Sequence, residues 1–527
     1  YSFQDDCKLS LAERRLALAY VLSTKTGNTL YARRTVVRHS KPAVVEVDDG
    51  EEAPEQQGAK PCMKSLFPPI GKQYLHGKTL SNARNAADTR CTTPNTGDIN
   101  IPEKYVDYSK EFLDLYETRN PWPTSEPTKK NTLEPVPLHV VENHQKSKSQ
   151  RAIIKKAREA TVNDKVEAKT KPILKNEKIL KPTADQRVIS IVPETAKLET
   201  SRLGMATAKI HKNNHWNACG MDPETCAHVL KQKFKGKDDI IMTDYTRMDS
   251  SITVALRTLL DMAFFAKYMK KEAHASALTW YQKLYNATAK LHFWDRSKTR
   301  QTVKYDTGGT QLSGDIFTSQ NNTMRTAFQS YCVFREMGQK PTDAWDNLGL
   351  YSGDDGICAG QDPKTIHTVC KDLGFTIKLE EASKGATPNF LSRYYPRLSD
   401  GDVSNHGDPT RIIKGLSVST SNMNRDKLIY MKAYSAYVND SKTPFIRDVL
   451  LKIMNETQPE NFTEKEIEAG KRALSFNVRQ NMQNLGTEHL VHTNHNSFSI
   501  MGIPSPQKDN TMDEKTLERS VLSMLSQ

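Results

Sequence analysis

The chain lacks most features that would mark a secreted or membrane-spanning protein. Its eight cysteines, in 527 residues, are scattered with no Cys-x-x-Cys pair, which argues against a disulfide framework and for a reducing compartment. No apolar run reaches the 18 or more residues of a membrane-spanning helix, and the best stretch, 254–269, is broken by Arg257, Asp261 and Lys267. The chain has no internal repeat. It starts at Tyr1 without a Met or a signal-peptide pattern and reads as a fragment of something longer. Acid is in deficit: 75 Lys and Arg stand against 62 Asp and Glu, a net charge of +13. That balance favours a polyanionic partner or an anionic membrane surface over an acidic protein ligand. With 37% hydrophobic residues the chain is long enough for a large core and about three domain-sized units.

Taken in order, 9–22 has helical spacing, and short β-like runs follow at 35–37 and 43–45. The acidic, polar 48–58, Pro68-Pro69 and the Pro/Thr-rich 120–137 read as connectors, with a helix over 105–118 between them. From Lys146 to Arg187 thirteen Lys/Arg face five Asp/Glu. Residues 149–160 look helical there, whereas 171–178 and 187–191 look like strands, so basic side chains on paired strands can line a channel for phosphates. Arg187 is singled out because a guanidinium at a fixed strand position can grip a triphosphate through two bonds. His211, His215, Cys219, Cys226 and His228 fall within 18 residues. Such spacing can hold zinc but matches no standard finger, so a structural metal is the weaker reading.

Two carboxylate-bearing stretches stand out. In Tyr351-Ser352-Gly353-Asp354-Asp355-Gly356-Ile357, apolar flanks surround a turn, and Asp-Gly is a strong hairpin signal. In 239–251 an apolar strand ends in Asp244, and a helix with Leu256, Leu259, Leu260 and Phe264 on one side follows. Asp244 and Asp354 meet if their strands neighbour each other in one sheet, and a pair of carboxylates holds Mg²⁺ together with substrate phosphates. Asp249, just before the helix, has an ordinary alternative role as an N-cap. Further along, 272–289 reads as a helix and 291–307 as two strands. A Gly-rich loop, 307–315, opens a helix over 317–337, on which Thr318 and Asn322 share a face suited to a sugar. A helix over 364–373 ends at Gly374, a strand over 375–379 follows, and short segments lie at 390–395 and 412–414. The last hundred residues are helical in pattern, at 427–438, 445–454 and 464–476.

These residues together resemble the RNA-dependent RNA polymerases of positive-strand RNA viruses. Asp244-x4-Asp249 is similar to motif A, Ser313-Gly314-x3-Thr318-x3-Asn322 to motif B and Gly353-Asp354-Asp355 to motif C. Lys378 or Lys384 is similar to the motif D lysine, Phe390-Leu391-Ser392-Arg393 to motif E, and Lys175-x-Glu177-Lys178 with Arg187 to motif F. Gln150-Arg151 and Gly309-Thr310-Gln311-Leu312-Ser313-Gly314 make the nodavirus replicases the most similar group. The resemblance covers about residues 150 to 420. Reverse transcriptases, which also use an Asp-Asp hairpin, resemble the chain less, because they typically carry Tyr-x-Asp-Asp. A charge-only RNA-binding or capsid-like protein would need no carboxylate pair.

The resemblance implies an α+β right hand with a ferredoxin-like palm, encircling fingers and a mostly helical thumb. Its division would be an N-terminal extension (1–60), fingers (61–238), palm with motif A (239–270), a fingers insertion (271–306), palm with motifs B to E (307–400), and a thumb with a tail (401–527). It implies that Asp244 and Asp354 bind two Mg²⁺ ions, with Mn²⁺ an allowed substitute, and with Asp355 and the Tyr245 carbonyl as weaker contributors. Lys175, Lys178 and Arg187 would neutralise the triphosphate. Asp249, Ser313 and Asn322 would read the ribose 2′-hydroxyl, and Lys384 would protonate the leaving group. Gly314, Thr318 and Arg393 would contact RNA. The implied partners are single-stranded template, nascent RNA and ribonucleoside triphosphates; self-association is also admitted. A membrane would be reached through an upstream region, in cytoplasmic replication complexes, the mitochondrial outer membrane among them.

Overall fold

The computed structural model describes residues 44–48, 60–61, 74–75, 79–92, 101–119, 133–145, 148–160, 169–175, 177–179, 185–273, 277, 280–281, 284, 287–294, 300–382, 387–416, 418–419, 424–440, 444–457 and 463. It is a mixed α+β structure built on two main sheets. The readings at 9–22, 35–37 and 464–476, and Lys384, lie outside the described residues.

One sheet has four antiparallel strands in the order Leu350–Ser352, Asp355–Ala359, Ile240–Tyr245, Ile377–Ala382. The expected neighbourhood of the two acidic stretches is therefore present: Asp244 stands opposite Asp355 on one side and Lys378 on the other. Against this sheet lies the helix Thr318–Glu336, buried at every position from Gln320 to Phe334. A helix enclosed on all sides is a central rod, not a surface element. Its Phe328, Tyr331 and Phe334 join Phe112, Trp216, Phe264 and Trp345 in the largest core, which also takes Ile366, Val369 and Leu373 from the helix Pro363–Leu373.

The second sheet has the order Val44–Asp48, Arg300–Asp306, Thr288–Trp294, Lys169–Leu174, Val188–Ile191. The basic strands pair as expected, antiparallel, from Lys171 opposite Ile191 to Leu174 opposite Val188. The Lys178–Ile179 strand instead pairs with Tyr74–Leu75. The C-terminal part is helical at Arg425–Asp440 and Pro444–Glu456.

Several sequence readings shift. The Asp-Gly turn is corrected: Ser352 pairs with Asp355, so Gly353-Asp354 form the turn, Gly353 supplies the positive φ (68°), and Gly356 stands inside the strand. That pattern, with φ positive at the first central residue only, is what a two-residue hairpin with Gly first demands. Gly356 is required for another reason, since a Cβ there would strike the Thr243 hydroxyl. The strand after Gly374 begins at Ile377, not 375, because the Phe375 amide still donates to Cys370 O at the helix end. The helix read over 272–289 is present at the described residues 271–273, 277, 280–281 and 284 and stops short of the strand that starts at Thr288, and 412–414 belongs to the helix Pro409–Leu416. The helices Leu80–Arg90, Leu138–His144, Glu194–Lys212 and Pro223–Phe234 went unread. The last carried a legible start: Asp222 caps it, accepting from the Glu224 and Thr225 amides, ahead of Pro223.

Candidate active site

Three acids gather where the Ile240–Tyr245 strand and the Ser352–Asp355 hairpin meet. Asp244 lines both a large cavity of about 1070 Å³ and a smaller neighbour of about 160 Å³. Asp354, at the turn, faces the larger cavity and Asp355 the smaller. The turn is held by the buried helix: the Gly353 amide donates to Thr323 Oγ1 (2.7 Å) and Thr326 Oγ1 donates to Gly353 O (2.7 Å). Desolvation, then the neighbouring Asp244, push the Asp354 carboxyl above its usual range, with Arg187 opposing. Asp355 is pushed up to about 6 by desolvation, Asp354 and Asp244. Carboxylates crowded in this way, with only oxygen donors, fit a hard divalent cation. Among the described residues no three His, Cys, Asp or Glu side chains converge into a finished ligand cage. Tyr245 also lines the cavity, its buried ring donating from the hydroxyl to Gln329 Oε1 at 2.8 Å.

The opposite wall is cationic. Lys175 and Arg187 both line the cavity, and Glu177 bridges them at 2.8 Å to each. Arg90 and Arg247, which sequence reading missed, line it too, and Arg247 pairs with Asp185. Arg247 takes a left-handed conformation (φ 53°) that points a bulky residue away from regular helix, and it occupies the N-cap position of the helix Met248–Ser251. The N-cap alternative for Asp249 is thereby corrected: Asp249 is the second residue of that helix, two past the N-cap, and its Oδ1 accepts from Asn322 Nδ2 at 2.8 Å. Desolvation raises the Asp249 carboxyl, the Asn322 bond lowers it, and Asp354 raises it further. Asp249 and Asn322, 73 residues apart in the chain, are thus in direct contact.

The Gly-rich loop packs on the basic strands. Ser313 Oγ donates to Val188 O at 2.5 Å, and a Cβ on Gly314 would overlap the Ser190 carbonyl oxygen. Thr318 Oγ1 donates to Leu312 O (2.8 Å), and both Ser313 and Thr318 line the cavity. One expected residue stands elsewhere. Arg393 is committed to Asp440 (3.0 Å) and Asn405 (2.8 Å), its side chain 12% exposed, tying the Arg393–Tyr394 strand to the helix Arg425–Asp440. Of the two candidate lysines only Lys378 is described; it lines the cavity opposite Asp244. The His/Cys group disperses. His211 stacks on Phe264, His215 meets Lys233, Cys219 meets Ser319 and Thr323, Cys226 meets Tyr395, and His228 is exposed.

The acidic hairpin, the strand that ends at Asp244 and Tyr245, and the cations around one cavity agree with what family comparison finds. Residues 103–456 match the model of the viral RNA-dependent RNA polymerase family, and the chain belongs to that family. Among its relatives are the RNA-directed RNA polymerases of Pariacoto virus (25% identical, covering 66% of this chain and 34% of that protein) and Pieris rapae virus (28%, covering 66% and 33%). That of Greasy grouper nervous necrosis virus is 28% identical, covering 60% of this chain and 31% of that protein. The nodavirus resemblance is borne out by these relatives. The chain spans about a third of the length of the curated relatives it matches.

Proposed function

We propose that this chain carries out template-directed RNA synthesis from ribonucleoside triphosphates, as the catalytic part of a viral replicase. One observation carries the reading. Asp244 and Asp354 line the same cavity as Lys175, Arg187 and the bonded Asp249–Asn322 pair, so metal-type acids, phosphate-type cations and a sugar-type clamp face one volume. The sheet with Asp244 and Asp354 is read as the palm, the sheet with Arg187 as fingers, and the C-terminal helices as the thumb.

Asp244 and Asp354, with Asp355 and the Tyr245 carbonyl in weaker roles, would hold two Mg²⁺ ions or Mn²⁺ in their place. The metal, when bound, supplies Lewis-acid activation of the RNA 3′-hydroxyl and neutralisation of the β- and γ-phosphates. The chain's own residues do the positioning. Arg187 and Lys175 exchange the Glu177 carboxylate for the incoming triphosphate, with Arg90 and Arg247 adding positive potential and Lys178 as a further cation. Asp249 accepts the 2′-hydroxyl proton while Asn322, and Ser313 once released from Val188 O, complete the recognition that separates RNA from DNA precursors. Attack at the α-phosphorus expels pyrophosphate, which takes a proton from Lys384 or from Lys378. Gly314, Thr318 and Arg393 are retained as RNA contacts, Arg393 after exchange from Asp440. Single-stranded template and nascent RNA are the partners, with self-association and membrane attachment through an upstream segment in cytoplasmic, membrane-associated complexes, the mitochondrial outer membrane included.

Two tests address the finer roles. Replacing Asp249 by Ala is expected to lower the preference for ribo- over 2′-deoxyribonucleotides on the order of 10²-fold, more than it slows incorporation of the correct nucleotide. Equal use of both nucleotides by the unmutated chain would refute the sugar clamp. Lys378→Leu and Lys384→Leu separate the two candidate acids: the true donor's loss should cost about 10²-fold or more in the rate of incorporation, and the other's should not. Unchanged rates in both variants would exclude a lysine acid.

A further inference from the structure

The apolar stretch after Asp244 contains two charges with no role in the reading above, Arg257 and Asp261, and the long helix adds a third, Arg325. All three are buried, with 2%, 1% and 0% exposure. Asp261 lies in a single π-helical turn, Thr258–Met262, which sets it apart from the regular helix on either side. Its Oδ2 accepts from both Arg325 Nη2 and the Tyr281 hydroxyl, and lies 3.5 Å from Arg257 Nη1. Two buried guanidiniums around one carboxylate are a poor means of stabilising a core, since apolar packing of equal volume does as well or better. The cluster also leaves Asp261 Oδ1 and Arg325 Nε without a partner among the described residues, a cost that calls for an explanation. π-Turns inside helices recur at functional positions.

Arg325 reaches the sugar clamp directly. Its Nη1 donates to Asn322 Oδ1 at 2.7 Å and to Gln311 Oε1 at 3.0 Å. A guanidinium only donates, so the Asn322 side chain must turn its oxygen toward Arg325 and its NH₂ toward Asp249. The reversed amide would set NH₂ against guanidinium and oxygen against carboxylate. Gln311 is fixed in the same sense: Arg257 Nη2 donates to its Oε1 (3.2 Å), and its Nε2 donates to Asp315 (2.6 Å) and Thr318 (3.2 Å) in the Gly-rich loop. Arg257 further donates to Gly309 O (2.6 Å) and Thr310 O (2.9 Å), so the loop's backbone hangs on the same cluster.

We propose that Arg325, anchored by Asp261, is a positioning residue for sugar selection, fixing the Asn322 amide so that its NH₂ faces Asp249 and the 2′-hydroxyl of the incoming nucleotide. This rests on the polymerase reading above. A residue that holds a hydrogen-bonding group in one orientation matters most for the substrate that uses that bond. The ribonucleotide therefore loses more than the 2′-deoxyribonucleotide when the cluster is altered.

The test measures kcat/KM for single incorporation of a ribonucleotide and its 2′-deoxy analogue, and the binding of each, for the unmutated chain, Arg325→Lys, Asp261→Asn, Asn322→Ala and the double variant Arg325→Lys/Asn322→Ala. Arg325→Lys should lower the ribo-to-deoxy ratio about tenfold, mainly through the ribonucleotide, and Asp261→Asn should act in the same direction. In the Asn322→Ala background Arg325→Lys should change the ratio no further, because the group it positions is gone. An unchanged ratio in a folded Arg325→Lys chain, or a full further drop in the double variant, would overturn the proposal. Unfolding of both Arg325→Lys and Asp261→Asn while Asn322→Ala folds would assign the cluster to the fold and overturn it equally. Failure of the polymerase reading looks different: the unmutated chain would then incorporate neither nucleotide and bind both alike.

Discussion

Asp244→Asn is expected to reduce RNA synthesis on the order of 10³-fold or more while leaving affinity for single-stranded RNA within about twofold. The substitution keeps the side chain's volume and removes one negative charge at an exposed strand position, so it disturbs no packing. What it removes is the carboxylate charge and one of the two oxygen donors of a residue that lines both cavities around the acids. RNA affinity comes from Lys and Arg on phosphates and does not need that charge. Asp355→Asn should cost distinctly less, since Asp355 faces only the smaller cavity. Primer extension with a filter-binding measurement on the same preparations checks both halves. Equal losses from Asp244→Asn and Asp355→Asn would reject the division of roles between the acids.

Gly314→Ala is expected to lower synthesis about 10²-fold with the fold retained. A Cβ at residue 314 cannot coexist with the Ser190 carbonyl oxygen, so the Gly-rich loop must lift from the Val188–Ile191 strand. That strand adjoins Arg187, and the loop carries Ser313, whose hydroxyl donates to Val188 O. The added methyl group therefore separates the loop that carries Ser313 from the strand that adjoins Arg187, the groups proposed to read the sugar and hold the phosphates. Displacements near 1 Å at positioning elements carry losses of this size without any chemical group being removed. Thermal unfolding should stay within a few degrees of the unmutated chain, because Gly314 is exposed and its neighbours Ser313 and Asp315 line the cavity. Normal extension by Gly314→Ala would show that the close approach has no bearing on catalysis.

The parts of the site that were legible in the sequence rest on local patterns. The Ile240–Tyr245 strand is an apolar run ending in an acid, the Ser352–Asp355 hairpin is announced by Gly between β-formers, and the Thr318–Glu336 helix follows a Gly-rich loop. Asn322 and Asp249 were grouped only through the family resemblance, and the bond between them comes from the fold. What escaped reading depends on contacts between distant segments. Arg90 comes from the helix Leu80–Arg90, ahead of the family-matched stretch, and no local signal places it beside Arg187. Arg247 is selected by a backbone conformation that residue type does not reveal. Arg257 and Asp261 looked like interruptions in an apolar run and Arg325 was passed over, yet charged residues inside such runs are themselves a signal, since burial of a charge demands a partner. The Asp-Gly turn was misplaced by two residues because Gly356 satisfies a packing need that mimics turn chemistry.

The most direct test of RNA synthesis at these carboxylates sets the purified chain beside Asp354→Asn. Each is incubated with a short single-stranded RNA template, labelled ribonucleotides and Mg²⁺, and template-length product is resolved on a denaturing gel. Product from the unmutated chain alone, with RNA bound equally by both, is the expected result. Template-length product from Asp354→Asn at the unmutated rate would contradict it.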